Sequence, residues 1–150
     1  MIEKIAINDR FTVGKAQPSA EAVPQIARDG FRSVVNLRVE GADGQKMSPA
    51  EEGEAVRRAG MSYFHLPVKA DSLSDGLVDR FREGVAGLPG PVFVHCASGK
   101  RAGAFTMMHV AAEQGMSGKE VLAKAAEMGF ECDTPQLESF VRDYVDSHRR

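Results

Sequence analysis

The chain has no tryptophan, two tyrosines and only two cysteines in 150 residues. Two thiols, Cys96 and Cys132, cannot build the disulfide framework of a small secreted domain. Each is then buried packing or chemistry in a reducing compartment. There is no excess of charge of one sign: 19 Lys and Arg stand against 21 Asp and Glu, a formal net charge of −2. Such a chain has no basic field with which to hold a nucleic acid backbone or an anionic membrane, so neither is expected as a partner and any anion must be caught locally. No apolar run approaches the ~18 residues of a membrane span, and the N-terminus MIEKIAINDR places charges where a signal peptide needs an apolar core. A cytoplasmic, soluble protein is expected. The four histidines, His65, His95, His109 and His148, lack metal-ligand spacing, and no CxxC or HxxxH pair accompanies them. No metal or other cofactor is expected.

What is present suits a single domain over residues 1–150, with 43% hydrophobic residues for a core and no repeat or low-complexity linker. Apolar runs of strand length lie at about 4–8, 11–14, 32–37, 62–66 and 92–95. Between them, Ser48-Pro49-Ala50-Glu51 is a capping box with proline at the first helical position, and it predicts a helix over about 49–59 closed by Gly60. Ser117 to Glu120 repeats the box ahead of a helix ending at Gly129, and Thr134-Pro135 opens a last helix with Leu137, Phe140, Val141, Tyr144 and Val145 on one face. In the stretch 19–29, Pro24 moves the expected helix start toward Val23. Strands alternating with helices predict an α/β fold with a largely parallel sheet flanked by helices, whose ligands bind beyond the carboxyl ends of the strands.

The chemistry should lie in Val92 to Gly103, a buried strand running through a short glycine-containing loop into a helix over about 102–114. Loop N–H groups and the positive end of the helix dipole then surround one point, an anion site. A thiol at Cys96, where the loop opens, is favoured as thiolate by the dipole and by Arg101, and so becomes a nucleophile. Arg101 takes two oxygens of the anion through its planar fork, and Gly99 permits the tight path. The plain alternative is a packing cysteine at a strand end.

The His95-Cys96 to Gly99 to Arg101 motif resembles the cysteine-dependent phosphatases of the protein-tyrosine and dual-specificity type. More of the chain, about residues 5–115, is similar to the phosphatase-like domain family of beta-lactamase-hydrolase-like proteins, through Ala16 to Ser19, Gly30-Phe31, Val34 to Arg38, Gly60, His65 to Val68 and His95 to Arg101. The resemblance implies a dual-specificity-phosphatase-like fold, Cys96 as nucleophile, and Arg101 with the amides of Ala97, Ser98, Gly99, Lys100 and Ala102 as the anion clamp. It also implies that His95 orients the loop and helps depress the pKa of the thiol.

Two departures bear on the reaction. Phosphatases of this type place five residues between cysteine and arginine, whereas Cys96 and Arg101 enclose four, Ala97 to Lys100, and Ala102 stands where a hydroxyl residue follows the arginine. The six-residue loop beginning at Cys96 is similar instead to that of sulfurtransferases of the rhodanese type. The family is also found joined to persulfide dioxygenase domains, which implies a functional link to such an enzyme. The reading preferred on these grounds is a sulfurtransferase that takes sulfur from a small anionic donor, thiosulfate or a persulfide, as a Cys96 persulfide and passes it to a thiol acceptor. The alternative is a phosphatase acting on a phosphorylated substrate through a Cys96 phosphoenzyme, and a third is a binding module with an inherited anion pocket. Asp71, in the place of the phosphatases' general acid with Asp75 second to it, favours the phosphatase. Against that, Ser72 or Ser74 can simply cap the next helix.

Among the remaining candidates, Arg38 offers a second positive charge to the pocket or a surface ion pair with Glu40. The charge of Lys100 attracts an anionic substrate or is merely solvated. Cys132 is read as incidental, His109 as a satisfied core histidine and His148-Arg149-Arg150 as a solvated tail.

Overall fold

The computed structural model describes residues 4–39, 47–69, 73–96, 100–129 and 135–148. In chain order its elements are β1 (Lys4–Ala6), β2 (Phe11–Gly14), α1 (Val23–Arg28), β3 (Ser33–Asn36), α2 (Pro49–Arg58), β4 (Ser62–His65), α3 (Asp75–Ala86), β5 (Val92–His95), α4 (Lys100–Gln114), α5 (Gly118–Met128) and α6 (Pro135–Ser147). The five strands form one sheet in the order β1-β2-β5-β3-β4. β2, β5, β3 and β4 run parallel. Only the β1–β2 pair is antiparallel, because the first apolar run stops short of Ile7 and turns. The Asn8 side chain makes that turn, its Oδ1 accepting the N–H groups of Arg10 and Phe11 at 2.9 and 2.8 Å.

Strand alternation gives the sheet two apolar faces. One buries Phe11, Val13, Val35, Val92 and Val94 beneath α3, α4 and α6. The other buries Val34 and Phe93 against Val23 and Ile26 of α1 and Val56 of α2. Both expected capping boxes form, Ser48 with Glu51 and Ser117 with Glu120, and Gly129 closes α5 at φ +91°, a conformation that favours glycine. α1 begins at Val23, with Pro24 in its first turn. Among the described residues no helix is long and apolar enough to cross a membrane.

Gly14, opposite His95 in the β2–β5 register, has room for no side chain: an added Cβ would lie 2.4 Å from Cζ of Phe93. The Phe93 ring is fully buried and cannot swing away. Gly14→Ala should therefore cost about 1–3 kcal/mol by overpacking, read as a fall in Tm of several degrees in a thermal melt.

On the far side, α3, α4 and α6 are pinned by polar contacts. The Tyr144 hydroxyl donates to Asp79 at 2.6 Å, and burial pushes its pKa up to about 12. His109 accepts from Arg82 Nε at 3.4 Å, lies 3.3 Å from Glu113, and meets the Phe11 and Phe81 rings edge-on, as a satisfied core histidine should. The tail reading fails for His148. Its ring stacks on Tyr144 with centroids 3.8 Å apart, and its Nε2 lies 3.6 Å from Asp79. An imidazole one helical turn beyond a tyrosine can cover that ring while facing a carboxylate, which a freely solvated end would forgo. Arg149 and Arg150 lie outside the described residues.

Candidate active site

β5 lies in the middle of the sheet, and its carboxyl end carries His95 and then Cys96. Successive side chains leave a strand on opposite faces, so the two residues point into different layers. Cys96 is fully buried in the layer beneath α4. Its Sγ accepts the Ala102 N–H at 3.3 Å, one of the amide groups that the first turn of a helix leaves without a partner. The sulfur is thus seated on the positive end of the α4 dipole.

α4 starts at Lys100, two residues before the start expected from sequence, so Arg101 stands inside its first turn. The Arg101 guanidinium donates through Nη1 to the carbonyl of Val68. Val68 in turn is tied to β3 by its N–H on the Leu37 carbonyl at 3.0 Å. This leaves the rest of the guanidinium fork for other acceptors. Lys100 is exposed and Ala102 is buried, with its carbonyl accepting the Thr106 hydroxyl at 2.7 Å. Ala97, Ser98 and Gly99 lie outside the described residues, as do Asp71 and Cys132.

Arg38 is 4% exposed just beyond β3, so it is a buried side chain rather than a surface one, and Glu40 lies outside the described residues. Its N–H donates to Asn36 Oδ1 at 2.8 Å, and its carbonyl lies 2.6 Å from His65 Nε2. Arg38, Val68, Cys96 and Arg101 therefore lie at the carboxyl end of the parallel strands. Ser74, not Ser72, caps α3, its hydroxyl accepting from Leu77 N–H at 3.2 Å. Asp75 is the exposed first residue of that helix, where an acid favours the dipole whatever else it does.

The other layer holds a group that sequence reasoning missed. Glu52 of α2 is fully buried, and its Oε2 lies 2.7 Å from Nε2 of the equally buried His95. Its Oε1 accepts from Gln17 Nε2 at 2.9 Å, and Gln17 also donates to the Met47 carbonyl at 3.0 Å. The Tyr63 hydroxyl, near enough to feel the charge of the same carboxylate, accepts from Asn36 Nδ2 at 3.0 Å. Burial and the Glu52 charge push the Tyr63 hydroxyl far above its ordinary pKa, which keeps it neutral and donating. A signal existed. Glu52 sits one turn before Val56, on the apolar stripe of α2, where a solvated acid has no place.

With this geometry in hand, the chain can be set beside known proteins. The family model for the phosphatase-like domain of beta-lactamase hydrolase-like proteins matches residues 6–113. The chain belongs to this family. A beta-lactamase hydrolase-like protein of Xylella fastidiosa (strain Temecula1 / ATCC 700964) is 32% identical over 127 residues, 85% of this chain and 29% of that protein. One from Agrobacterium fabrum is 32% identical over 101 residues, 67% of this chain and 23% of that protein. This phosphatase-like domain thus spans less than a third of the curated relatives it matches. Among solved structures, P. aeruginosa TpbA superposes with a TM-score of 0.76 at 23% identity, covering 99% of this chain and 89% of that one. The core catalytic domain of the PP-IP phosphatase SIW14 from S. cerevisiae gives 0.70 at 15%, covering 92% and 82%. At these identities the structures establish the fold, and it is that of the protein-tyrosine and dual-specificity phosphatases.

Proposed function

We propose that this phosphatase-like domain hydrolyses phosphomonoesters through a phosphoenzyme at Cys96. The observation that carries the reading is the Cys96 sulfur seated on the Ala102 N–H at 3.3 Å, with the Arg101 guanidinium on the same helical turn. In the first step the sulfur attacks phosphorus and the ester oxygen leaves, taking a proton from Asp71. Water then attacks the phosphocysteine, passing a proton back to Asp71, and gives inorganic phosphate and the free thiolate. Arg101, the loop amides from Ala97 to Ala102 and the charges of Lys100 and Arg38 hold the three equatorial oxygens. An aryl phosphate is the substrate class we favour, since a variant of TpbA, related to this chain in fold, is known in complex with pTyr.

The sulfurtransferase expected from loop length fares less well, because the family and the named structures point to phosphatases. It stays open as a second reading on one observation: Ala102, whose N–H holds the sulfur, supplies no hydroxyl to help a thiolate leave a phosphoenzyme. Asp71→Asn separates the two. Phosphate-ester hydrolysis should fall by about 10²-fold, most for poor leaving groups, because an alkoxide or phenolate then departs unprotonated. Sulfur transfer from thiosulfate needs no such proton and should hardly change. Turnover of p-nitrophenyl phosphate, set beside intact-mass detection of one added sulfur on Cys96 after thiosulfate, decides between them. A persulfide forming readily without ester hydrolysis would reverse the choice.

A further inference from the structure

The Glu52 carboxylate is out of reach of solvent, yet each of its oxygens has a partner, Gln17 Nε2 at 2.9 Å and His95 Nε2 at 2.7 Å. A carboxylate at full burial is costly unless hydrogen-bond partners face both oxygens, and here one faces each. The titratable and charged groups around the pair are few. Tyr63 of β4 lies near the carboxylate and takes the Asn36 amide, Arg57 of α2 stacks over the Tyr63 ring at 5.9 Å, and Arg38 with His65 lies beyond Asn36. Cys96 adjoins His95 in the chain and faces the opposite layer. Nδ1 of His95 is buried and has no partner among the described residues, which leaves it as the ring's remaining bonding site.

We propose that Glu52 is a positioning residue for Cys96. Acting through Nε2, it holds the His95 imidazole fixed at the end of β5, and so fixes the strand end that carries the nucleophile. The proposal deepens the phosphatase reading and rests on Cys96 being its nucleophile. The anchor is well braced: α2 brings Glu52 to the sheet, and Gln17, itself held on the Met47 carbonyl, ties it to the segment after β2. Acting through His95 it never touches substrate, so its signature is how Cys96 responds to pH.

Iodoacetamide labelling of the full chain at about pH 6 and about pH 9, read peptide by peptide, needs no phosphate substrate. In the wild type the ratio of the two rates should be higher at Cys96 than at Cys132. Glu52→Gln, nearly isosteric, should lower the Cys96 ratio at least ~5-fold while the melt stays cooperative, since an amide cannot accept on both arms, from Gln17 and from His95, as the carboxylate does. His95→Gln should lower it too, and the double variant should fall no further, because the two residues act as one unit. An unchanged ratio in folded Glu52→Gln, or a double effect equal to the product of the single ones, would overturn the proposal. Should Glu52→Gln fail to fold, Glu52→Asp, which keeps the carboxylate but shortens its reach to His95, gives the answer: a lowered Cys96 ratio supports the proposal, and an unchanged one refutes it. Wild-type turnover of p-nitrophenyl phosphate, measured alongside, tests the phosphatase reading separately. No turnover with the labelling results intact removes that reading and leaves the Glu52 role standing.

Discussion

Cys96→Ser should abolish hydrolysis of an aryl phosphate, lowering kcat by about 10⁴-fold or more, while inorganic phosphate still binds. A serine hydroxyl in that place is fully buried and receives the Ala102 N–H, but no residue shown near it is placed to take its proton. It is therefore a poor nucleophile, whereas the thiol needs no general base once the helix N-terminus favours its anion. The amides and Arg101 remain, so the anion site persists. The measurement is single-turnover kinetics with p-nitrophenyl phosphate beside phosphate binding by calorimetry. Retention of even a tenth of wild-type kcat by a folded Cys96→Ser would place the chemistry elsewhere.

Arg101→Ala should cost about 10³-fold in kcat/KM, the scale seen when a guanidinium that stabilises phosphoryl-transfer charge is removed. Arg101→Lys should still cost at least ~10-fold. The reason lies in the Val68 carbonyl, which occupies one arm of the fork and fixes the plane of the rest. An ammonium can meet that carbonyl or the anion, but it cannot present two parallel N–H groups to one phosphoryl while anchored. Steady-state kinetics on both variants should show kcat falling along with the rise in KM, since the developing charge is greatest in the transition state. If Arg101→Lys equals wild type, Arg101 supplies only a diffuse field.

How much of this was visible in the sequence follows from the range of the forces involved. Caps are local, so Ser48 with Glu51 and Ser117 with Glu120 were readable directly, and so was the strand–loop–helix that seats Cys96. The start of α4 was set two residues late because Lys100 and Arg101 look like loop residues until one notes that nothing after Gly99 bars helical geometry. Glu52 was passed over for a physical reason. Next to Glu51 it looks like a second acid favouring a helix N-terminus, and only the packing of α2 on the sheet turns one of the two inward. Its partners, Gln17, Tyr63 and His95, are spread over the chain, and no periodicity joins them. His148 was misjudged in the same way, since stacking on Tyr144 depends on a ring whose other contacts come from α3.

The central place of β5 has a thermodynamic consequence. Its neighbours β2 and β3 bond it on both sides, and the register pairs His95 with Gly14 on one flank and Asn36 on the other. The strand that delivers the sulfur therefore gives up its conformational entropy when the sheet forms, long before any ligand arrives. An anion reaching Cys96 meets a strand end already ordered, and little of its binding free energy is diverted into ordering the nucleophile. Occupancy of the site should accordingly leave the β5 backbone where it is.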